Sequence, residues 1–154
     1  MGKTKRSLIV EIKATLRDVR TQLALLNRNV SSHLALREID LDCLDVIGRH
    51  GPLTPRSLAV RVGLHPATLT GILDRLERAG WIIRERDPAG ADRRAVHVRA
   101  LPDRNGELYQ RLAPMNEAMD GVCAEFTDAE LATVARFLRR TAEAGESANS
   151  EVSS

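Results

Sequence analysis

Residues 53–101 read LTPRSLAVRVGLHPATLTGILDRLERAGWIIRERDPAGADRRAVHVRAL, and this stretch decides the fold. Thr54-Pro55 is a helix start, because the Thr hydroxyl can take up a free N-terminal N–H while Pro at the first helical position surrenders an N–H that has no partner there. Leu58, Ala59 and Val62 give that helix an inner face, and Gly63 ends it. His65-Pro66 then opens a second helix in the same manner, running to about Ala79 and stopped by Gly80. Two short helices joined by a tight glycine turn make a helix-turn-helix. Trp81–Arg86 and Ala95–Leu101 read as two strands, the second with Val96 and Val98 inward and Ala95, His97 and Arg99 outward. Asp87–Arg93 between them is a turn-rich loop, so the helical pair is followed at once by a hairpin, which predicts a winged helix-turn-helix.

Upstream, apolar residues fall at Ile9, Ile12, Leu16, Val19, Leu23, Leu26 and Val30, a 3-4 spacing that marks a long helix packed along another helix. A shorter helix follows over Asp40–Arg49, with Leu41, Cys43, Leu44 and Ile47 apolar, and ends at His50-Gly51-Pro52. Downstream, Asp103–Ala124 carries Leu108, Leu112, Met115, Met119 and Val122 on one face, with a kink expected at Pro114. Thr127-Asp128-Ala129-Glu130 is a capping box that starts a last helix, whose face continues through Leu131, Val134 and Leu138. The segment 145–154 has nothing to bury and is expected to be disordered. The fold expected is therefore mainly α with a small β-hairpin wing, as one domain over 1–144. Its winged region spans 40–101, flanked by helical segments 7–36 and 102–144.

The second helix of the pair turns Leu69, Ile72, Leu73 and Leu76 inward, which leaves Ala67, Thr68, Thr70, Gly71, Asp74, Arg75 and Arg78 pointing away. A surface this small and polar suits a helix that enters a major groove about 12 Å wide, with hydroxyls and an arginine reaching base edges or phosphates. Around it Arg56, Arg61, Arg75, Arg78, Arg84, Arg86, Arg93, Arg94 and Arg99 are all arginine, with no lysine between residues 52 and 99. Arginine suits phosphate contact and minor-groove insertion better than an apolar partner surface does. The charge is uneven along the chain. Residues 1–51 carry 9 Lys/Arg against 6 Asp/Glu, residues 52–99 carry 9 against 5, and residues 100–154 carry 5 against 10, for balances of +3, +4 and −5. A positive middle points toward a polyanion.

Other chemistries lack their residues. Phosphate-binding glycine loops and G-x-S-x-G elbows are absent, and no catalytic group or cofactor is expected. His33, His50, His65 and His97 are scattered without metal-ligand spacing, and Cys43 and Cys123 stand far apart with no CxxC, so neither zinc nor a disulfide framework is indicated. No apolar run is long enough to span a bilayer, and the basic start lacks a signal-peptide core, so a cytoplasmic protein is expected.

The run Leu69-Thr70-Gly71-Ile72-Leu73-Asp74-Arg75-Leu76-Glu77-Arg78-Ala79-Gly80-Trp81-Ile82, followed by Asp92-Arg93-Arg94, resembles the MarR family of bacterial regulators. The order of helices agrees from about Leu8 to Ala144. The resemblance implies a homodimer whose N- and C-terminal helices form the interface, binding double-stranded DNA at a pseudo-palindromic operator as a repressor. DNA contacts would come from Arg56, Arg61, Ala67, Thr68, Thr70, Gly71, Arg75, Arg78 and Arg86. An arginine of the wing, Arg93 or Arg94, would enter the minor groove, the other being held by a carboxylate such as Asp92 or Asp74. A small aromatic effector would bind between the dimer helices and the DNA-binding region, near Asn27, Arg28, Ser31 and His33. Oxidation-sensing relatives place a cysteine near the start of the first helix, and this chain has none there. His65 departs from the Ser or Asp usual at its position, so a weaker cap and a looser start to the recognition helix are expected. The rival reading is a winged-helix adaptor that binds protein, since fold alone does not decide function.

Overall fold

A computed structural model describes residues 2–86 and 94–152. The elements are α1 (Lys5–His33), α2 (Glu38–His50), α3 (Pro55–Val62), α4 (Pro66–Arg78), β1 (Ile82–Arg86), β2 (Val96–Ala100), α5 (Pro102–Cys123) and α6 (Asp128–Val152). They form a mainly helical chain with one antiparallel hairpin, the winged helix-turn-helix read from the sequence.

Local chemistry sets most boundaries. Thr54 Oγ1 accepts the Ser57 N–H at 3.2 Å ahead of Pro55, as its position before a proline requires. Gly63 closes α3 at φ 68°, a left-handed conformation that glycine adopts without a Cβ penalty, and Leu64 N–H reaches back to the Ala59 carbonyl at 2.9 Å. Gly80 does the same after α4 at φ 79°, with Trp81 N–H on the Leu76 carbonyl at 2.9 Å. Glu130 accepts the Thr127 N–H at 2.9 Å, the capping box that starts α6.

The core of residues 2–111 is built where α2, α3, α4 and the hairpin meet. Leu44 and Ile47 of α2, Leu58 of α3, Leu69, Leu73 and Leu76 of α4, Trp81, Ile82 and Val98 are all nearly inaccessible to solvent. The hairpin pairs Ile82 with Ala100 through Arg86 with Val96. Leu53 extends it as a third, single-residue partner, exchanging backbone hydrogen bonds with Val98 at 3.1 and 2.7 Å. Sequence periodicity did not indicate that bridge.

Two expectations are corrected. Val96 is exposed, because it pairs with Arg86 at the loop end of the hairpin, away from the helices, whereas Val98 lies over the core. The first strand begins at Ile82, Trp81 instead filling the turn after α4. α6 runs on through residues 145–152, whose Ala, Glu and Ser residues are compatible with a helix and which contain no proline to interrupt it. Residues 1–111 and 112–154 form two compact units. Burial along α5 stops at Leu108, and α6 buries no residue. Among the described residues no helix is long and apolar enough to cross a membrane.

Candidate nucleic-acid interface

Helix α4 is held from beneath by Leu69, Ile72, Leu73 and Leu76, all buried, so the opposite face is fixed in orientation. On that face Ala67, Thr68, Thr70, Gly71 and Arg78 are exposed, while Asp74 and Arg75 are half-buried. A Cβ on Gly71 would meet nothing within 4 Å, so the glycine keeps the face slim rather than relieving a clash. Thr70 Oγ1 donates to the Pro66 carbonyl at 3.1 Å and retains its lone pairs as acceptors. His65 does cap the helix: its Nδ1 accepts the Ala67 N–H at 3.2 Å.

The arginines divide into two groups. Arg56, Arg61, Arg78 and Arg86 are exposed and make no ion pair among the described residues. Three others are already occupied. Arg84 of β1 reaches across to α4, its Nη2 lying 2.7 Å from Asp74 Oδ1 and 2.6 Å from Glu77 Oε2, while its own N–H donates to Glu77 Oε1 at 2.8 Å. These hydrogen bonds hold the Glu77 carboxyl below its usual range and raise the Arg84 guanidinium further. Arg99 of β2 pairs with Glu85 of β1 at 2.9 Å. Arg75 donates from Nε, at 3.3 Å, and Nη2 to the carboxylate of Asp40 on α2. Asp74, one of the carboxylates considered for a wing arginine, is thus engaged by Arg84. Arg94 is exposed, and Arg93, Asp92 and the Gly90 turn lie outside the described residues.

A second set of contacts, missed in the sequence, fixes the C-terminal end of α4. Asn105, in the first turns of α5, is buried and donates Nδ2 to the carbonyls of Trp81 at 2.8 Å and Leu101 at 2.7 Å. Arg104 lies over the Trp81 ring, 4.7 Å from its centroid, and donates to the Ala79 carbonyl at 3.0 Å. Nothing local marks their role at the end of α4, because the Trp81 and Ala79 carbonyls that they bind are 24 and 25 positions away.

The four effector candidates lie on the last two turns of α1. Ser31 is buried and donates to the Asn27 carbonyl at 2.6 Å, His33 Nδ1 lies 2.8 Å from the Asn29 carbonyl, and Arg28 donates to Glu38 at 3.3 Å. On α2, Cys43 is fully buried, and desolvation, with Asp40 and Asp42 adding to it, pushes its thiol up to about 11.

A helix-turn-helix with a slim polar second helix, exposed arginines beside it and a hairpin wing defines a DNA-binding regulator. A sequence model of the MarR family matches residues 37–96. The HTH-type transcriptional regulator YcgE of Bacillus subtilis is 31% identical over 127 residues, which cover 82% of this chain and 81% of that protein. The chain therefore belongs to the MarR family and is a transcriptional regulator of the helix-turn-helix type. Among solved structures, a MarR family protein from Bacillus stearothermophilus superposes with a TM-score of 0.67 at 22% identity, covering 92% of this chain and 97% of that one. NadR in complex with 4-hydroxyphenylacetate gives 0.65 at 20% identity, with the same coverages. Both share the fold.

Proposed function

We propose that the chain is a sequence-specific repressor that binds a pseudo-palindromic operator as a homodimer and is released by a small aromatic effector. The observation that carries the DNA reading is the exposed Ala67, Thr68, Thr70 and Gly71 face of a helix anchored on its other side by four buried apolar residues. Thr68 and Thr70 are the base readers in this reading, Arg56, Arg61, Arg78 and Arg86 the phosphate contacts, and Arg93 and Arg94 the wing contacts. Homodimerisation is supported by the α1 seam, where Ile9, Ile12, Val19 and Leu23 are 40–46% exposed, and by exposed Val134, Phe137 and Leu138 on α6. Apolar faces of that extent call for a partner surface, and a second copy supplies an identical one. Repression follows from occupancy, since a dimer seated over a promoter excludes polymerase. An aromatic acid as effector is supported by the 4-hydroxyphenylacetate bound to NadR. The end of α1 around Asn27, Arg28, Ser31 and His33 is its proposed site.

Selection of bound duplexes from a random pool tests the reading. The expected product is a two-fold motif whose half-site centres lie about 10 base pairs, or a multiple, apart. Thr68→Ala and Thr70→Ala should each relax selection at particular positions of the half-site. An absence of any enriched duplex would overturn the DNA reading and favour a protein-binding adaptor. Melting measured across a set of aromatic acids tests the effector, a specific stabilisation being expected.

A further inference from the structure

We propose that Arg75, although it lies on the recognition helix, is not a DNA reader, and that with Asp40 it forms a positioning pair that sets how α4 is presented. This inference rests on the DNA-binding reading above and refines which residues of that face do the reading.

Asp40 is 1% exposed, in the first turn of α2. Its carboxylate is fully committed: Oδ2 accepts the Arg37 N–H at 2.9 Å, starting α2, and the Arg75 Nε at 3.3 Å, while Oδ1 accepts the Arg75 Nη2. The two residues are 35 positions apart, so the pair ties the second half of α4 to the start of α2. A two-pronged guanidinium–carboxylate pair fixes orientation as well as distance, which a single ammonium cannot do. Turning Arg75 out to a phosphate would strip a buried carboxylate of its only cation among the described residues, a change disfavoured by the low polarity around it. Immediately before α2, Ala35 adopts φ 53°, a conformation uncommon for a residue with a Cβ, and Leu36 N–H binds the Ser31 carbonyl at 2.9 Å. The tight corner that ends α1 thus leads straight into the α2 cap that holds Arg75.

A direct reader and a positioning residue give opposite results at Asp40. Asp40 is buried and negative, so it cannot attract DNA, and a neutral replacement removes a repulsion. We would compare the full chain with Asp40→Asn, Arg75→Gln, Arg75→Lys and the Asp40→Asn/Arg75→Gln double variant. The probes are the selected operator and an unrelated duplex, across a salt series and at a temperature where melting shows each variant folded. For a positioning pair, Asp40→Asn loses tenfold or more in operator affinity, Arg75→Gln loses a similar factor, and the double variant is no worse than the weaker single. The salt slope stays at the wild-type value, and Arg75→Lys recovers only part of the loss. A salt slope lowered by about one unit in Arg75→Gln would overturn the proposal, because it marks a lost phosphate contact. Unchanged or tighter operator binding by Asp40→Asn would overturn it equally. If Asp40→Asn does not fold, the salt slope of Arg75→Gln decides alone. If the wild type selects no duplex, the DNA reading fails instead. Amide exchange in α4 then judges the anchor: faster exchange in Arg75→Gln sustains it, and unchanged exchange overturns it.

Discussion

Helices α4 and α6 are both amphipathic, yet α4 buries four of its 13 residues while none of the 25 in α6 is buried. The apolar side of α4 is covered by its own chain, so its polar side has a fixed direction and can serve as a reading surface. The apolar sides of α6 and of most of α1 are exposed, and their sequence pattern describes a surface that we propose a second copy completes. Periodicity identifies an apolar face in both cases. What covers that face is a separate fact, and it divides the molecule into a part shaped by intrachain packing and a part whose packing is proposed to come from a second copy.

The sharpest way to break the contrast is to damage both faces and watch different observables. Leu73→Ala, in a site that is 1% exposed, should lower folding stability by about 2–5 kcal/mol. The pair Leu23→Glu and Leu138→Glu, at sites 41% and 48% exposed, should leave helix content intact and instead produce a monomer in sedimentation. Such a monomer would bind a full operator no better than a half-site. If it stays dimeric at micromolar concentration, these faces are not the interface.

Next in size is the wing. Arg93→Ala with Arg94→Ala should weaken operator binding, lower the salt slope by about one unit per lost phosphate contact, and flatten the preference for A·T-rich flanks, because an arginine in a narrow minor groove responds to its potential. The dimer should persist. Unchanged affinity, slope and flank preference in a folded dimer would remove the wing from the interface.

These effects also separate what the sequence displayed from what it could not. Thr54-Pro55, Gly63, Gly80 and the Thr127–Glu130 box act on backbone groups within a few residues, so each was legible and each stands where expected. The outward face of α4 was legible too, because the inner residues recur at helical spacing. The division of the arginines was not: Arg75 depends on Asp40, Arg99 on Glu85 and the Trp81 turn on Asn105, and these partners meet only after the chain has folded. The helical end of α6 was not legible for another reason. Lack of apolar residues argues against burial, but exposed Ala, Glu and Ser residues can still continue a helix that has already started.

A smaller effect concerns pH. The buried Cys43 thiol is raised from an ordinary 9.0 to about 11, chiefly by burial and then by Asp40 and Asp42. Below pH 9 both folded and unfolded chains keep this proton, and its contribution to stability is fully present. Between 9 and 11 the unfolded chain gives it up first, so stability falls as pH rises, by no more than about 1.4 kcal/mol per pH unit. Urea unfolding at pH 8 and 10.5 should therefore show a steeper alkaline loss in the wild type than in Cys43→Ala, other alkaline titrations being common to both. Equal losses would mean that the thiol does not feel its surroundings as the packing indicates.

The smallest effect lies at the tip of the recognition helix. His65 caps α4 through one imidazole nitrogen at 3.2 Å from the Ala67 N–H, and an imidazole is a poorer cap than a hydroxyl or carboxylate. Both His65→Ser and His65→Asp should thus stabilise the fold, each by about 0.5–1 kcal/mol. Asp adds a charge that suits the positive end of the helix dipole, so on stability alone it should equal or exceed Ser. On DNA the order should reverse. The first turn of α4 carries Ala67 and Thr68, the proposed base-facing surface, and a carboxylate there would stand against phosphates while a serine would not. His65→Ser should bind the operator as well as the wild type, and His65→Asp should bind it more weakly, the deficit shrinking as salt is added. Equal operator binding by the two variants would place the first turn of α4 away from the DNA, even though the same helix is capped and packed as described.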